Sequence, residues 1–163
     1  MTRTRRDFIR NGTAAGAALG AVTGSAPDAA QPGSTIPMPT SRAKALMALF
    51  GLKWPIFEAC HGRATSPELA AAVSNAGAMG ALADLATPDE ARSAVSKVRT
   101  ATKGPFVINN ILRNKPVSLQ AALDAGAPIV QFSWGMPSRE AISAIRASGA
   151  RIGMQVTSAE SAR

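Results

Sequence analysis

The apolar residues of this chain fall in short runs that return every 23 to 27 residues, beginning near Pro55, Ala78, Pro105, Pro128 and Arg151. The runs are near-continuous rather than alternating, the pattern of strands in a parallel sheet covered by helices. The segments between them read as helices with marked starts. Ser66-Pro67-Glu68 and Thr87-Pro88-Asp89-Glu90 each supply a capping hydroxyl, a proline in the first turn and acids at the positive helix end. Ser138 caps a later helix, and Gly77 and Gly126 end two others. The expected strands are Trp54 to Ala59, Ala78 to Ala83, Pro105 to Asn110, Ile129 to Ser133 and Arg151 to Val156. A short amphipathic helix, Ala43 to Phe50, precedes them and is closed by Gly51. Thr157 or Ser158 caps a last helix that has barely begun at Arg163.

Strand-helix units at this pitch fit either a doubly wound open sheet or an eight-unit barrel. A dinucleotide-binding sheet carries G-x-G-x-x-G after its first strand, but this turn reads Cys60-His61-Gly62-Arg63-Ala64-Thr65-Ser66. A phosphate loop of the G-x-x-x-x-G-K type is absent as well. The barrel is the preferred fold class, an α/β chain with about five parallel βα units of a (β/α)8 TIM barrel.

Composition changes this picture little. With 46% hydrophobic and 17% charged residues the chain has the makings of a buried core, which Ala, Val, Ile and Leu must fill because aromatics make up only 4%. Of the net charge of +8, the segment through Ser41 carries four Arg against two Asp, and the later charges alternate in sign along helix faces. No aromatic residues interleave with the cations, so nucleic acid is not an expected partner. A single cysteine, Cys60, excludes an internal disulfide and a thiolate metal cluster.

The N-terminus is different. Arg5-Arg6-Asp7-Phe8-Ile9 leads into the uncharged Gly- and Ala-rich run Gly12 to Ala26, and small residues follow to Ala30. This resembles a bacterial twin-arginine export signal. The run is too short and glycine-rich for a stable membrane span, which needs about 20 apolar residues. The resemblance implies passage through the twin-arginine translocase, a periplasmic or exported mature protein, and a cofactor inserted before export. The expected organisation is a signal peptide at 1–30, a proline-rich linker at 31–42 and the folded domain at 43–163.

Four segments in order carry a further resemblance: Pro55-Ile56-Phe57-Glu58-Ala59, the PELAAAVSNAG stretch within Thr65 to Gly80, Gly104-Pro105-Phe106-Val107-Ile108-Asn109, and Gln131-Phe132-Ser133-Trp134-Gly135-Met136-Pro137. They are similar to successive strand ends of the nitronate monooxygenases. The resemblance implies a barrel that binds FMN at the C-terminal ends of its strands. It also implies alkyl nitronates or nitroalkanes and molecular oxygen as reactants. Asn109 matches the family's flavin-contacting asparagine, whose amide both donates and accepts; its alternative role is to cap a turn with its own backbone. Ala59, Cys60 and His61 stand where the family has Ala-Pro-Met against the flavin, an exchange that alters the pocket's polarity and redox tuning.

His61 is the only histidine and so a candidate base, yet the family's base lies in a glycine-rich loop after the sixth strand, beyond Arg163. His61 is therefore read as lining the flavin pocket or facing solvent, and no residue of the chain is assigned as catalytic. Trp134 is expected to wall the substrate pocket, Gly135 to let its loop approach closely, and Gln155 to offer a polar contact to the cofactor. The expectation is the N-terminal five-eighths of a barrel from a truncated frame, its C-terminal units missing, with impaired flavin binding and self-association through open edges. Two alternatives stand beside the monooxygenase: a related flavin barrel such as an NAD(P)H-dependent enoyl reductase, and a non-catalytic exported binding fragment.

Overall fold

The computed structural model describes residues 38–162 apart from Asp84 and Asn114. The leader and most of the linker expected from the sequence lie outside the described residues. In chain order the elements are α1 (Ser41–Phe50), a 3-10 turn (Gly62–Ala64), α2 (Pro67–Asn75), β1 (Gly80–Ala83), α3 (Pro88–Ala101), β2 (Phe106–Ile111), α4 (Leu119–Asp124), β3 (Ile129–Ser133), α5 (Arg139–Ala147) and β4 (Arg151–Met154).

The helices start where the capping residues ask them to. Ser66, Thr87 and Ser138 each accept a hydrogen bond from the backbone N–H three residues on, at 3.1 to 3.2 Å. The carboxyls of Glu68 and Glu140 are held below the usual range, chiefly by a hydrogen bond from their own backbone N–H and then by the capping serine hydroxyl. Thr40 caps α1 in the same way, which sets its start at Ser41, two residues before the expected Ala43. The expected helix after Thr157 is a turn in which Ser158 Oγ accepts from Ser161 N.

The four strands form one parallel sheet in the order β1-β2-β3-β4. Strand order follows chain order without the reversal that marks a doubly wound sheet. Side chains then sort by parity. Leu82, Phe106, Ile108, Val130 and Phe132 point to the face covered by α2, α3, α4 and α5. Met79, Ala81, Val107 and Ile129 point to the other, where Leu52 and the end of α1 pack. The helices that follow the strands therefore cover one face only, which is the arrangement of a barrel wall. The fold is α/β of the partial-barrel type. Phe106 and Phe132 are completely buried, and burial of such a side chain contributes about 1.5–3 kcal/mol each.

Close packing on the helical side depends on glycine. A Cβ on Gly80 would collide with the Ala70 carbonyl and come within 2.7 Å of Ser74 Oγ. Ser74 is buried and its hydroxyl reaches both Ala70 O (2.8 Å) and Pro105 O (2.7 Å), joining α2 to the entrance of β2.

The first expected strand departs from the sequence reading. Between Trp54 and Ala59 only one parallel bridge forms, Phe57 to Met79, with Met79 N donating to Ile56 O (3.0 Å) and Glu58 N to Met79 O (2.8 Å). One residue further the backbone leaves the sheet, and the next edge donor, Ala81 N, is taken by the side chain of Glu58 (Oε2, 2.9 Å). The fifth expected strand is also shorter, ending at Met154 rather than Val156.

Candidate active site

The strands carry their chemistry at their C-terminal ends, where active sites of such barrels lie. On the concave face the register puts Ala81 beside Val107, and Ile129 beside Arg151. Two residues along, Ala83 stands beside Asn109, Asn109 beside Gln131, and Gln131 beside Gly153. On β2 and β3 the inward side chains thus change from apolar to amide within one step along the strand, Val107 to Asn109 and Ile129 to Gln131. Above them Ile111 pairs with Ser133, and Gln155 N bonds to Phe132 O (2.9 Å) just past the end of β4.

Asn109 is buried and organises this tier. Its Oδ1 accepts from Ser133 Oγ (2.8 Å) and from Gln131 Nε2 (3.3 Å). With the carbonyl oxygen fixed, the amide orientation is fixed, and Nδ2 is left as the donor for other partners. The alternative role for Asn109, capping a turn with its own backbone, is not what its side chain does. Glu58 supplies the opposite polarity. One carboxylate oxygen is bound to Ala81 N, and Oε1 is buried without a hydrogen-bond partner among the described residues. A buried acceptor in that state costs about 1–3 kcal/mol unless a donor reaches it.

These groups line one concave cavity of about 550 Å³. Of the residues expected from the sequence, Ala59, Cys60, Asn109, Gln155 and Trp134 all line it. His61 and Gly135 do not. His61 is exposed at the start of the 3-10 turn, because the chain has already left the sheet at Glu58. Gly135 faces Leu112, whose Cβ would lie 3.0 Å from an added Cβ, so it brings two rim loops together without lining the cavity. Trp134 is 66% exposed and has φ +63°, the one non-glycine positive φ among the described residues. Such backbone strain is tolerated mainly where a side chain must be aimed. The indole lies under the Arg113 guanidinium, 4.7 Å from the ring centroid.

Sequence reasoning did not single out Glu58, Gln131 or Arg113. For Gln131 a signal existed: it and Asn109 are polar residues at equivalent places in two otherwise apolar runs. For Glu58 and Arg113 there was none, since their roles depend on where the backbone leaves the sheet and on the conformation of Trp134.

Comparison with known proteins gives concordant matches. Residues 43–121 match the family model for nitronate monooxygenase. A nitronate monooxygenase of Paraburkholderia phytofirmans is 38% identical over 82 residues, covering 50% of this chain and 22% of that protein. The (3aS,4S,5R,7aS)-5-hydroxy-7a-methyl-1-oxo-octahydro-1H-indene-4-carboxyl-CoA dehydrogenase of Rhodococcus jostii is 30% identical, covering 64% of this chain and 30% of that protein. Among solved structures, FabK from Thermotoga maritima superposes with a TM-score of 0.66 at 32% identity, over 73% of this chain and 39% of FabK. Nitroalkane oxidase from Streptomyces ansochromogenes superposes with a TM-score of 0.62 at 27% identity, over 72% of this chain and 44% of the oxidase. The chain therefore spans less than half the length of each of these proteins. The match to that family model begins within α1 and ends within α4, and Glu58 and Asn109 lie inside it.

Proposed function

We propose that the chain supplies strand ends of a flavin-dependent oxidoreductase site, with FMN as the flavin and oxidation of an alkyl nitronate by molecular oxygen as the reaction. The observation that carries this reading is the polar tier of Asn109, Gln131 and Ser133 above an apolar one, facing a cavity of about 550 Å³. A flavin ring presents alternating carbonyl and N–H groups along one edge. An oriented amide donor at Asn109 and the unpartnered acceptor of Glu58 suit such an edge, and the residues present fit the group.

In this reading Asn109 orients the ring edge, and Gln131 and Ser133 hold the asparagine in the one rotamer that presents its donor. Gln155 would add a polar contact, and the backbone of Ala59 and Cys60 would help hold the flavin. Trp134 walls the substrate side and limits water. When bound, the flavin supplies electron transfer between substrate and oxygen. The chain's own side chains bind, orient and exclude solvent. The twin-arginine-like leader supports export of a folded, cofactor-loaded protein to the periplasm.

A second reading, a flavin barrel that reduces an enoyl thioester with a nicotinamide donor, is favoured by the likeness to FabK and to a carboxyl-CoA dehydrogenase. Titration of the purified chain with FMN, followed by quenching of flavin fluorescence, tests the shared part. Saturable binding is expected, and its absence overturns both readings. Oxygen consumption with an alkyl nitronate, against NADH or NADPH oxidation with an enoyl thioester, then separates them.

A further inference from the structure

Next to the polar cavity, and sharing Asn109, Ile111 and Trp134 with it, is a second rim cavity of about 600 Å³. Its electrostatics are opposite. The first cavity has Glu58 and no cationic side chain among its described lining residues. The second has Arg113 and Lys115 and no carboxylate among its described lining residues.

Neither cation has an ion-pair partner among the described residues. Among the described residues the one ion pair is Arg92 with Asp89, at 2.7 Å on the exposed face of α3. Arg113 is instead laid over the Trp134 ring, 4.7 Å from its centroid, and that ring is held at φ +63°. Stacking on an aromatic face fixes the plane of a guanidinium and leaves its N–H edge free. Asn110, which lines the same cavity, has a buried Nδ2 without an acceptor among the described residues. Three donors on one side of the rim, two of them charged and one already desolvated, lack an acceptor among the described residues.

We propose that Arg113, Lys115 and Asn110 form an anion subsite for a doubly charged phosphoryl group, at the tail of a ligand whose uncharged end enters the neighbouring polar cavity. A dianion balances two cations, and the planar fork of arginine with the point charge of lysine is a common way of holding phosphate. The anion subsite stands on its own geometry. Its role as a tail anchor rests on the reading of the cavity given above.

The chain has two tryptophans, so in a Trp54→Phe background the emission of Trp134 reports on Arg113 directly. Inorganic pyrophosphate, titrated at constant ionic strength, is expected to give a saturable change. Arg113→Gln and Lys115→Gln are each expected to weaken its binding at least tenfold, with Arg113→Lys in between. An unchanged affinity in the double Gln variant, no saturation, or an equal response to acetate would overturn the subsite. Competition identifies the source of the phosphoryl group. Displacement of pyrophosphate by FMN but not by riboflavin assigns it to the flavin's own phosphate, and retention in the presence of either flavin assigns it to a separate phosphorylated ligand. Pyrophosphate binding without flavin binding supports the subsite and removes its role as an anchor.

Discussion

The carboxylate of Glu58 stands in for a strand: its Oε2 accepts the hydrogen bond of Ala81 N at 2.9 Å, on the edge of β1 where a neighbouring backbone carbonyl is expected. Removing it strands a backbone donor. Glu58→Ala is expected to cost about 1–3 kcal/mol of unfolding free energy, measured by urea denaturation. Glu58→Gln keeps an acceptor oxygen and is expected to lose much less. Equal losses in the two variants would show that the edge bond contributes nothing.

Asn109 is expected to govern flavin affinity. Asn109→Ala should raise the FMN dissociation constant at least tenfold, a loss of about 1.4 kcal/mol or more. Ser133→Ala frees the amide to rotate without deleting it and should weaken binding by a smaller factor. Fluorescence titration of both variants checks the order, and a larger effect at Ser133 contradicts the assigned roles.

Trp134 trades stability for placement. A glycine at this position relieves a positive φ worth about 1–3 kcal/mol and gives up an Arg113 stacking contact worth about 0.5–1 kcal/mol. Trp134→Gly is therefore expected to melt no lower than the parent while binding ligand more weakly. A clear drop in melting temperature would mean that the indole is part of the fold's support.

Acid sensitivity should come partly from helix starts. Glu68 and Glu140 have carboxyls held below their usual value of 4.5 in the folded chain, by the backbone N–H of their own first turns and then by Ser66 and Ser138. A lowered folded-state value means that their contribution is present above pH 4.5 and is lost as pH falls through the folded-state value. The double variant Glu68→Gln, Glu140→Gln should therefore show a shallower loss of melting temperature below that pH than the parent does. An identical acid limb in both proteins would contradict this.

Gly80 tests the helix-strand contact. Gly80→Ala drives a methyl group into the Ala70 carbonyl, and overpacking of this kind costs about 1–3 kcal/mol or more. Comparison with Gly149→Ala separates space from conformation, since Gly149 has φ +77° but open room around it.

Much of the fold was legible in the chain because its punctuation is chemical. Ser66, Thr87 and Ser138 cap helices by the hydrogen bonds their type predicts, and the run Ile129–Ser133 is a strand with the expected bounds. The first strand was less legible because Trp54 to Ala59 has the composition of a strand, while Glu58 takes over the ladder bond that would have continued it. Of the site, Asn109, Gln155, Trp134, Ala59 and Cys60 meet at one cavity, as their positions at strand ends imply. His61 does not, because its place depends on the backbone leaving the sheet three residues earlier. Gln131 and Arg113 required the register and the unusual φ of Trp134, neither of which is written in local sequence.

Val107 and Asn109 occupy the same strand two residues apart and both line the cavity, Val107 as part of the apolar cluster beneath it and Asn109 as the centre of the hydrogen-bonded tier. The border between foundation and workplace is thus a single rung, about 7 Å of extended chain. New chemistry can be written on the upper rung by changing three side chains, with every helix and every lower contact left as it is.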